Sequence, residues 1–578
     1  MNLKCTFSVL LHIIIHVYSY SIKVKIKQGM LIGIREMTVF DERYYYAFYG
    51  VPYARPPIGK LRFKDPKPMR AWKKTFDATN EYHGACAQAH IVHKHGEYGF
   101  ENCLHLNIYT PNLPETKSRK CAVIVWIHGY SFSSSFSHIH GADFLIDNDL
   151  VVVTLSHRIG AFGFLKLNDT DGDANMGLKD IVIGLKWIRR NIGKFGGDYN
   201  NITLAGSGSA STFISLLLAS KYRKLFSKLI LQSGSIFSPS ILQGDYRTER
   251  SKLQKQIKIA GFKDINSAPT DAIVKASQKI YNSKDLMNFQ RPVVPFSPIV
   301  EKKSNTSLLM SDVNDIVNNI DKNIPILLGF TSQESISEAI PFIHNPQYLN
   351  IFKSFFKFMI PFSNQCQYNY TTKTYKIIGN KIKNWYFKNG ITENSINEFL
   401  KYLSDLYKYP IYKFIKSLLI NDERDLYVYK FNYLGKFNVA KATSAAGSNT
   451  KIKGASHGDE ICYIFKCDPS WESYVKLKKN NDDRDKIFIK QISKLWANFA
   501  KTGNPTPSNS FGNLTWLPMT KNDDNVLLLD KHSKLINSKP EQKMFKFWTE
   551  IYDKYYEREN CEKRKSIAES IKELGDEL

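Results

Sequence analysis

Apart from its first twenty residues, the sequence has no apolar run long enough to cross a bilayer, which excludes an ordinary membrane-spanning helix from the body of the chain. Acid is scarce as well. Only 54 aspartates and glutamates face 80 lysines and arginines, a formal charge of +26, so an acidic solvating segment is excluded. The excess is spread over lysines, as in Lys373–Lys383 and Lys476–Lys479, with no compact arginine cluster and no nucleic-acid motif. A specific nucleic-acid partner is therefore not expected, whereas non-specific attraction to polyanions or anionic surfaces is. Internal repeats and obvious linkers are missing too, which excludes repeat architectures.

Cysteine is sparse. Of eight, Cys5 lies in the N-terminal apolar segment, and the other seven (Cys86, Cys103, Cys121, Cys366, Cys462, Cys467 and Cys561) cannot all pair within one chain. An oxidising compartment leaves one free or bonded to another molecule, and Cys561 in the polar tail is the accessible candidate for a covalent dimer. His90, His93 and His95 in HIVHKH are spaced as metal ligands are, but no partner carboxylate or cysteine evidently completes a ligand set with them. They read as solvated, and neither a metal nor a cofactor is expected.

What is present suits a large globular core, with 43% hydrophobic and 13% aromatic residues. The opening MNLKCTFSVLLHIIIHVYSYS sets one lysine before an apolar stretch, Phe7 to Val17, and small residues at Ser19 and Ser21. That is the layout of a signal peptide over 1–20. Export is the expectation, and with it the sequons at Asn168, Asn201, Asn305, Asn369 and Asn513 become candidate glycosylation sites. The terminal GDEL lacks the basic first residue of the KDEL and HDEL retention signals, so extracellular release is expected over retention in the endoplasmic reticulum. A body over 21–556 is followed by a charged tail over 557–578, in which Ile567, Ile571, Leu574 and Leu578 recur at helical spacing.

Ala122–Ile127 and Leu150–Leu155 are short valine-rich runs, as buried parallel strands are. Between Gly177 and Phe195 the apolar positions fit a helix, which GGD closes. Ile202-Thr203-Leu204 then runs into Gly206-Ser207-Gly208-Ser209-Ala210 and an apolar stretch to Leu218, and Lys228–Leu231 offers the next strand. This alternation predicts an α/β fold with a largely parallel sheet covered by helices and functional loops at the carboxyl ends of the strands. The small-residue junction has the form of a nucleophile elbow, glycine-x-serine-x-glycine, but its centre is Gly208, with a serine on either side.

Seven stretches, taken in order, resemble the type-B carboxylesterase and cholinesterase family of α/β-hydrolases. They are YGVPYARPPIGKLRF from Tyr49, ENCLHLNIYTP from Glu101, VIVWIHG from Val123, NMGLKDIVIGLKWIRRNIGKFGGD from Asn175, QSGS from Gln232, GASHGDE from Gly454 and FAKTGNPTP from Phe499. The resemblance runs from about Lys25 to Tyr556. It implies the α/β-hydrolase fold, a mostly parallel central sheet with helices on both faces. It also implies a site ordered nucleophile, acid, histidine, with Glu334 of GFTSQES in the acidic position and His457 in that of the general base. Cys86 and Cys103 match the family's early disulfide.

Two departures from that pattern bear on chemistry. Gly208 falls where the family has its serine; glycine keeps the strained turn at little steric cost and removes the hydroxyl. Ser209 matches the family's oxyanion-donating N–H, with its side chain expected to project away from His457, and only a register slip would bring Ser209 or Ser207 into the nucleophile's place. The family's HGGGF segment is here His128-Gly129-Tyr130-Ser131-Phe132, so the oxyanion region comprises Gly129, Tyr130, Ser131 and Ser209. The Cys86–Cys103 loop has no tryptophan, and the choline site of cholinesterases has no match there. These features together read as a secreted, catalytically inactive carboxylesterase-like protein that binds a lipophilic small molecule or a protein partner. The alternative is an active ester hydrolase using Ser209 or Ser207 with Glu334 and His457. Pairing of Cys121, Cys366, Cys462, Cys467 and Cys561 is left open.

Overall fold

The computed structural model describes residues 21–556 apart from 81–83, 89–98, 115–118, 130–138, 170–172, 239–245, 282–294, 312, 319, 321–322, 361–372, 421–424 and 508–513. The leader, the HIVHKH histidines, Tyr130, Ser131, Cys366, Cys561, Asn369, Asn513 and the tail lie outside the described residues.

Fifteen strands are described: β1 Ser21–Ile26, β2 Gly29–Met37, β3 Tyr44–Pro52, β4 Phe76–Asp77, β5 His105–Thr110, β6 Cys121–Ile127, β7 His140–Gly141, β8 Val151–Leu155, β9 Gly197–Ser207, β10 Lys228–Gln232, β11 Ile326–Thr331, β12 Leu426–Phe431, β13 Lys466–Cys467, β14 Asn525–Leu529 and β15 Lys534–Asn537. Thirteen of them form one sheet in the order β1-β2-β3-β5-β8-β6-β9-β10-β11-β12-β14-β15, with β4 beside β2. From β8 to β14 the neighbours are parallel. Both margins are antiparallel apart from the short β4, which pairs with β2 in parallel.

Two-sided burial explains the valine-rich strands. In β6, Val123, Val125 and Ile127 pack into one apolar cluster, and Ala122, Ile124 and Trp126 into the other. A strand alternates its side chains between faces, so a strand buried on both must be apolar throughout. The helix Met176–Asn191 covers the first face through Leu178, Ile181, Leu185 and Ile188. Covering the opposite face, the helix Arg484–Thr502 supplies Ile489, Ile492 and Trp496. Each such buried aliphatic contributes about 1.5–3 kcal/mol. This is the α/β-hydrolase architecture, and it places the ends of β9 and β11 on the same rim of the sheet.

Disulfides join Cys86 to Cys103 and Cys462 to Cys467. Cys121 is the free cysteine among the described residues. No described helix is long and apolar enough to cross a membrane.

Candidate functional site

Strand β9 lies at the centre of the sheet between β6 and β10 and ends at Ser207. The chain then turns within one residue into the buried helix Ser209–Leu218. Gly208 makes that turn at φ 59°, ψ −123°, a conformation open to glycine and strained for other residues. Its N–H donates to the Gln232 carbonyl at 2.8 Å, and its carbonyl accepts from Thr212 N–H at 3.2 Å. Gly234 is required for a different reason: a Cβ there would meet the Gly208 oxygen at 2.2 Å. The elbow is thus held from both sides by close backbone approach.

The acid comes from the loop after β11. Glu334 is buried, with Oε1 accepting from Thr331 N–H at 2.6 Å and Ser233 Oγ at 2.7 Å. Its own N–H donates to Ser404 Oγ at 2.9 Å, on the helix Ile396–Leu419. The remaining oxygen, Oε2, receives His457 Nδ1 at 2.6 Å.

His457 sits between Gly454 and Gly458, both at positive φ, in a loop tied directly to the one that carries Glu334. Ala455 N–H donates to Ser332 Oγ at 2.8 Å, and Gln333 N–H to the Ala455 carbonyl at 2.9 Å. Ser456 N–H is held by the buried Asp459 carboxylate at 2.6 Å. These bonds fix the spacing of acid and histidine.

Nε2 of the same ring points to the elbow. A Cβ built on Gly208 would stand 2.9 Å from it and 3.8 Å from the Gly129 carbonyl oxygen. Ser209 is buried, and its Oγ lies 3.3 Å from where a Cβ on Gly129 would be, on the side of the His128-Gly129 loop. That loop begins at the end of β6, where His157 Nε2 bonds the His128 carbonyl at 3.2 Å. The structure therefore brings Gly208, Ser209, Gly129, Glu334 and His457 together and leaves Ser207 as the last residue of β9.

Burial works against protonation of His457, but its hydrogen bond to Glu334 and the carboxylates of Glu334, Glu460 and Glu338 outweigh it and hold the pKa at about 9. Glu334 is opposed by burial in the same way, and His457 nonetheless keeps it below the ordinary glutamate value. Each partner thus favours the charged form of the other. Beneath them lies Glu460, whose Oε1 accepts from Gln232 Nε2 and Tyr429 Oη, each at 3.1 Å. Burial pushes its pKa up to about 7.

Ser233, Ser404 and Glu460 were not singled out by the sequence. Ser233 and Glu460 stand inside motifs that it did single out, QSGS and GASHGDE, but their roles follow from three-dimensional contact. Elsewhere, Asn168 and Asn305 are exposed, while Asn201 on β9 donates from Nδ2 to the Lys501 carbonyl at 3.1 Å and accepts from Lys228. No cluster of metal-ligating side chains occurs among the described residues. The large open cleft of about 780 Å³ lined by Arg250, Lys255 and Lys258 does not include the His457 site.

Fold and site geometry define a protein of the α/β-hydrolase class. Comparison with known proteins narrows this: the Carboxylesterase family profile matches residues 20–548, and the chain belongs to that family. Juvenile hormone esterase of Tribolium castaneum is 29% identical over 85% of this chain and 84% of its own length. Esterase E4 of Myzus persicae is 30% identical over 86% of this chain and 89% of its own. Among solved structures, juvenile hormone esterase of Manduca sexta with OTFP covalently attached superposes with a TM-score of 0.76 at 23% identity, covering 92% of this chain and all of that one. At that identity the likeness speaks to the fold alone.

Proposed function

We propose that this chain is a carboxylesterase-family protein that has lost serine-ester hydrolysis and acts by binding. The observation that carries this reading is the residue opposite His457 Nε2, a glycine with no hydroxyl to activate. Acyl transfer needs an oxygen or sulfur nucleophile within hydrogen-bond reach of the base. The coupling to Glu334 raises the pKa of His457 and so favours the imidazolium, a form with no lone pair with which to accept a proton. It donates an N–H instead, a contact suited to a carbonyl or carboxylate oxygen.

The ligand we infer is a lipophilic carboxylic ester or its acid held at the former catalytic rim, with a protein partner on the surface as the other binding role. Relatives named juvenile hormone esterase make juvenile hormone the first compound to try. Two disulfides support folding in an oxidising compartment, consistent with export through the secretory route and with glycans on the exposed sequons. The competing reading, hydrolysis by Ser209 or Ser207 with Glu334 and His457, differs in one observable. Incubation of the purified protein with juvenile hormone, followed by titration and product analysis, is expected to give saturable binding and recovery of the intact compound. Stoichiometric or catalytic release of the acid would overturn the proposal.

A further inference from the structure

Between Glu338 and Glu393 the sequence contains no aspartate, glutamate or arginine, although lysines recur throughout. This stretch folds as successive helical pieces, Ile340–His344, Pro346–Asn350, Ile351–Ser354, Phe356–Met359 and Lys373–Tyr386, each packed on the next. The last piece is the informative one. Tyr375, Ile378, Gly379, Ile382 and Tyr386 are buried, while Lys373, Lys376, Ile377, Lys381 and Trp385 face outward.

Positions 373, 377, 381 and 385 follow one another at four-residue spacing, so a lysine, an isoleucine, a lysine and a tryptophan share one exposed ridge. Ile377 and Trp385 are 39% and 40% exposed, large fractions for such side chains. The Trp385 indole stacks on Phe547 of the helix Lys539–Tyr555 with ring centres 4.3 Å apart, and Lys543 and Lys546 of that second helix are exposed. Earlier in the same acid-free stretch, Ile351 and Phe355 are also exposed, at 51% and 44%. The carboxylate of Asp405, which reaches this helix, is already engaged by Tyr386 Oη at 2.9 Å and Lys401 Nζ at 2.6 Å. The exposed acids nearest in the chain, Glu393 and Glu550, lie beyond the end of the helix and one turn past Phe547.

A solvated surface helix ordinarily mixes both signs of charge and keeps its aromatic side chains inside. On the Lys373–Tyr386 helix the charges are all positive, and aromatic and aliphatic side chains stand between them. We propose that this face docks on an anionic lipid surface, with the lysines at the headgroup phosphates and Trp385, Phe547 and Ile377 at interfacial depth. A linear polyanion would meet the lysines but has no use for the apolar ridge. This function is independent of whether the His457 site hydrolyses esters.

The test is sedimentation of the full-length protein with vesicles of phosphatidylcholine alone and with about one-third phosphatidylserine, at about 0.1 M and about 0.5 M salt. Binding is expected only to the anionic vesicles and is expected to weaken at high salt. Each lysine near the surface strengthens partitioning by about fivefold, so Lys376→Glu with Lys381→Glu should weaken it by at least tenfold. Trp385→Ala should weaken binding severalfold while leaving its salt dependence in place. Melting curves monitor the fold, and Lys373→Glu with Lys388→Glu provides a second charge reversal in case the first pair disturbs packing. Absence of binding to anionic vesicles, or binding indifferent to both charge reversals, overturns the proposal. Capture of the protein by heparin without vesicle binding also overturns it and assigns the face to a polyanion.

Discussion

Replacing Gly208 with serine restores a hydroxyl to the centre of the elbow, and the structure fixes what that costs. At φ 59° and ψ −123° a side chain is strained by about 1–3 kcal/mol. The new Cβ would lie 2.9 Å from His457 Nε2, so the ring must retreat by about half an ångström while keeping its 2.6 Å bond to Glu334. For a chain this long, about 1 kcal/mol lowers the melting temperature by about 1 °C, so Gly208→Ser should melt about 1–3 °C below the parent. The introduced hydroxyl then lies within reach of Nε2. A fluorophosphonate should add one phosphonyl group per molecule, read by intact mass, to the variant and not to the parent. Turnover of short esters should stay slow if Tyr130 and Ser131, which stand where the resembled family's HGGGF segment has glycines, misalign the backbone donors, since impaired donation to an oxyanion costs about a hundredfold or more. A folded Gly208→Ser protein that takes no label would refute the reasoning, since His457 and Glu334 would then not be poised around an empty position.

The ion pair makes a pH prediction. The folded pKa of His457, about 9, lies above its ordinary value of 6.5, so its contribution to stability is complete below pH 6.5 and is lost as pH rises to about 9. Melting temperature should fall across that window in the parent and stay flat in Glu334→Gln, whose uncompensated burial lowers the histidine pKa; histidine NMR titration checks the shift directly. Cys86–Cys103 closes a loop of 17 residues and Cys462–Cys467 one of 5, worth about 3 and about 2 kcal/mol by loop entropy. Paired Cys→Ala variants should therefore lose about 3 °C and about 2 °C in calorimetry. Glycopeptide mass spectrometry should find glycans at Asn168 and Asn305 and none at Asn201, whose amide is already committed to the Lys501 carbonyl.

Much of the architecture was legible because its central strands are buried on both faces, which favours the valine-rich apolar runs of β6 and β8. The elbow was legible for a related reason, since a one-residue passage from strand to helix demands small residues, and Gly206 and Gly208 provide them. What contact in space decides was not legible. Cys462 and Cys467 had no partner assigned, because sequence spacing gives no Cα separation, and the short helix Ile461–Ile464 between them is what brings them to 5.3 Å. The clamp of Ser233, Thr331 and Ser404 around Glu334 joins segments up to 171 residues apart, which no spacing rule detects. Glu460 looked like any surface acid of a GDE run. Its burial against Gln232 and Tyr429 gives it a pKa near neutrality instead.

The central claim is that the elbow carries no working nucleophile, and fluorophosphonate labelling of the unaltered protein with site-resolved mass spectrometry tests it most directly. The expected result is unmodified mass at saturating reagent. A phosphonyl adduct on Ser209 or Ser207, abolished by Ser→Ala at that position, would contradict it and make this protein an esterase with a displaced nucleophile.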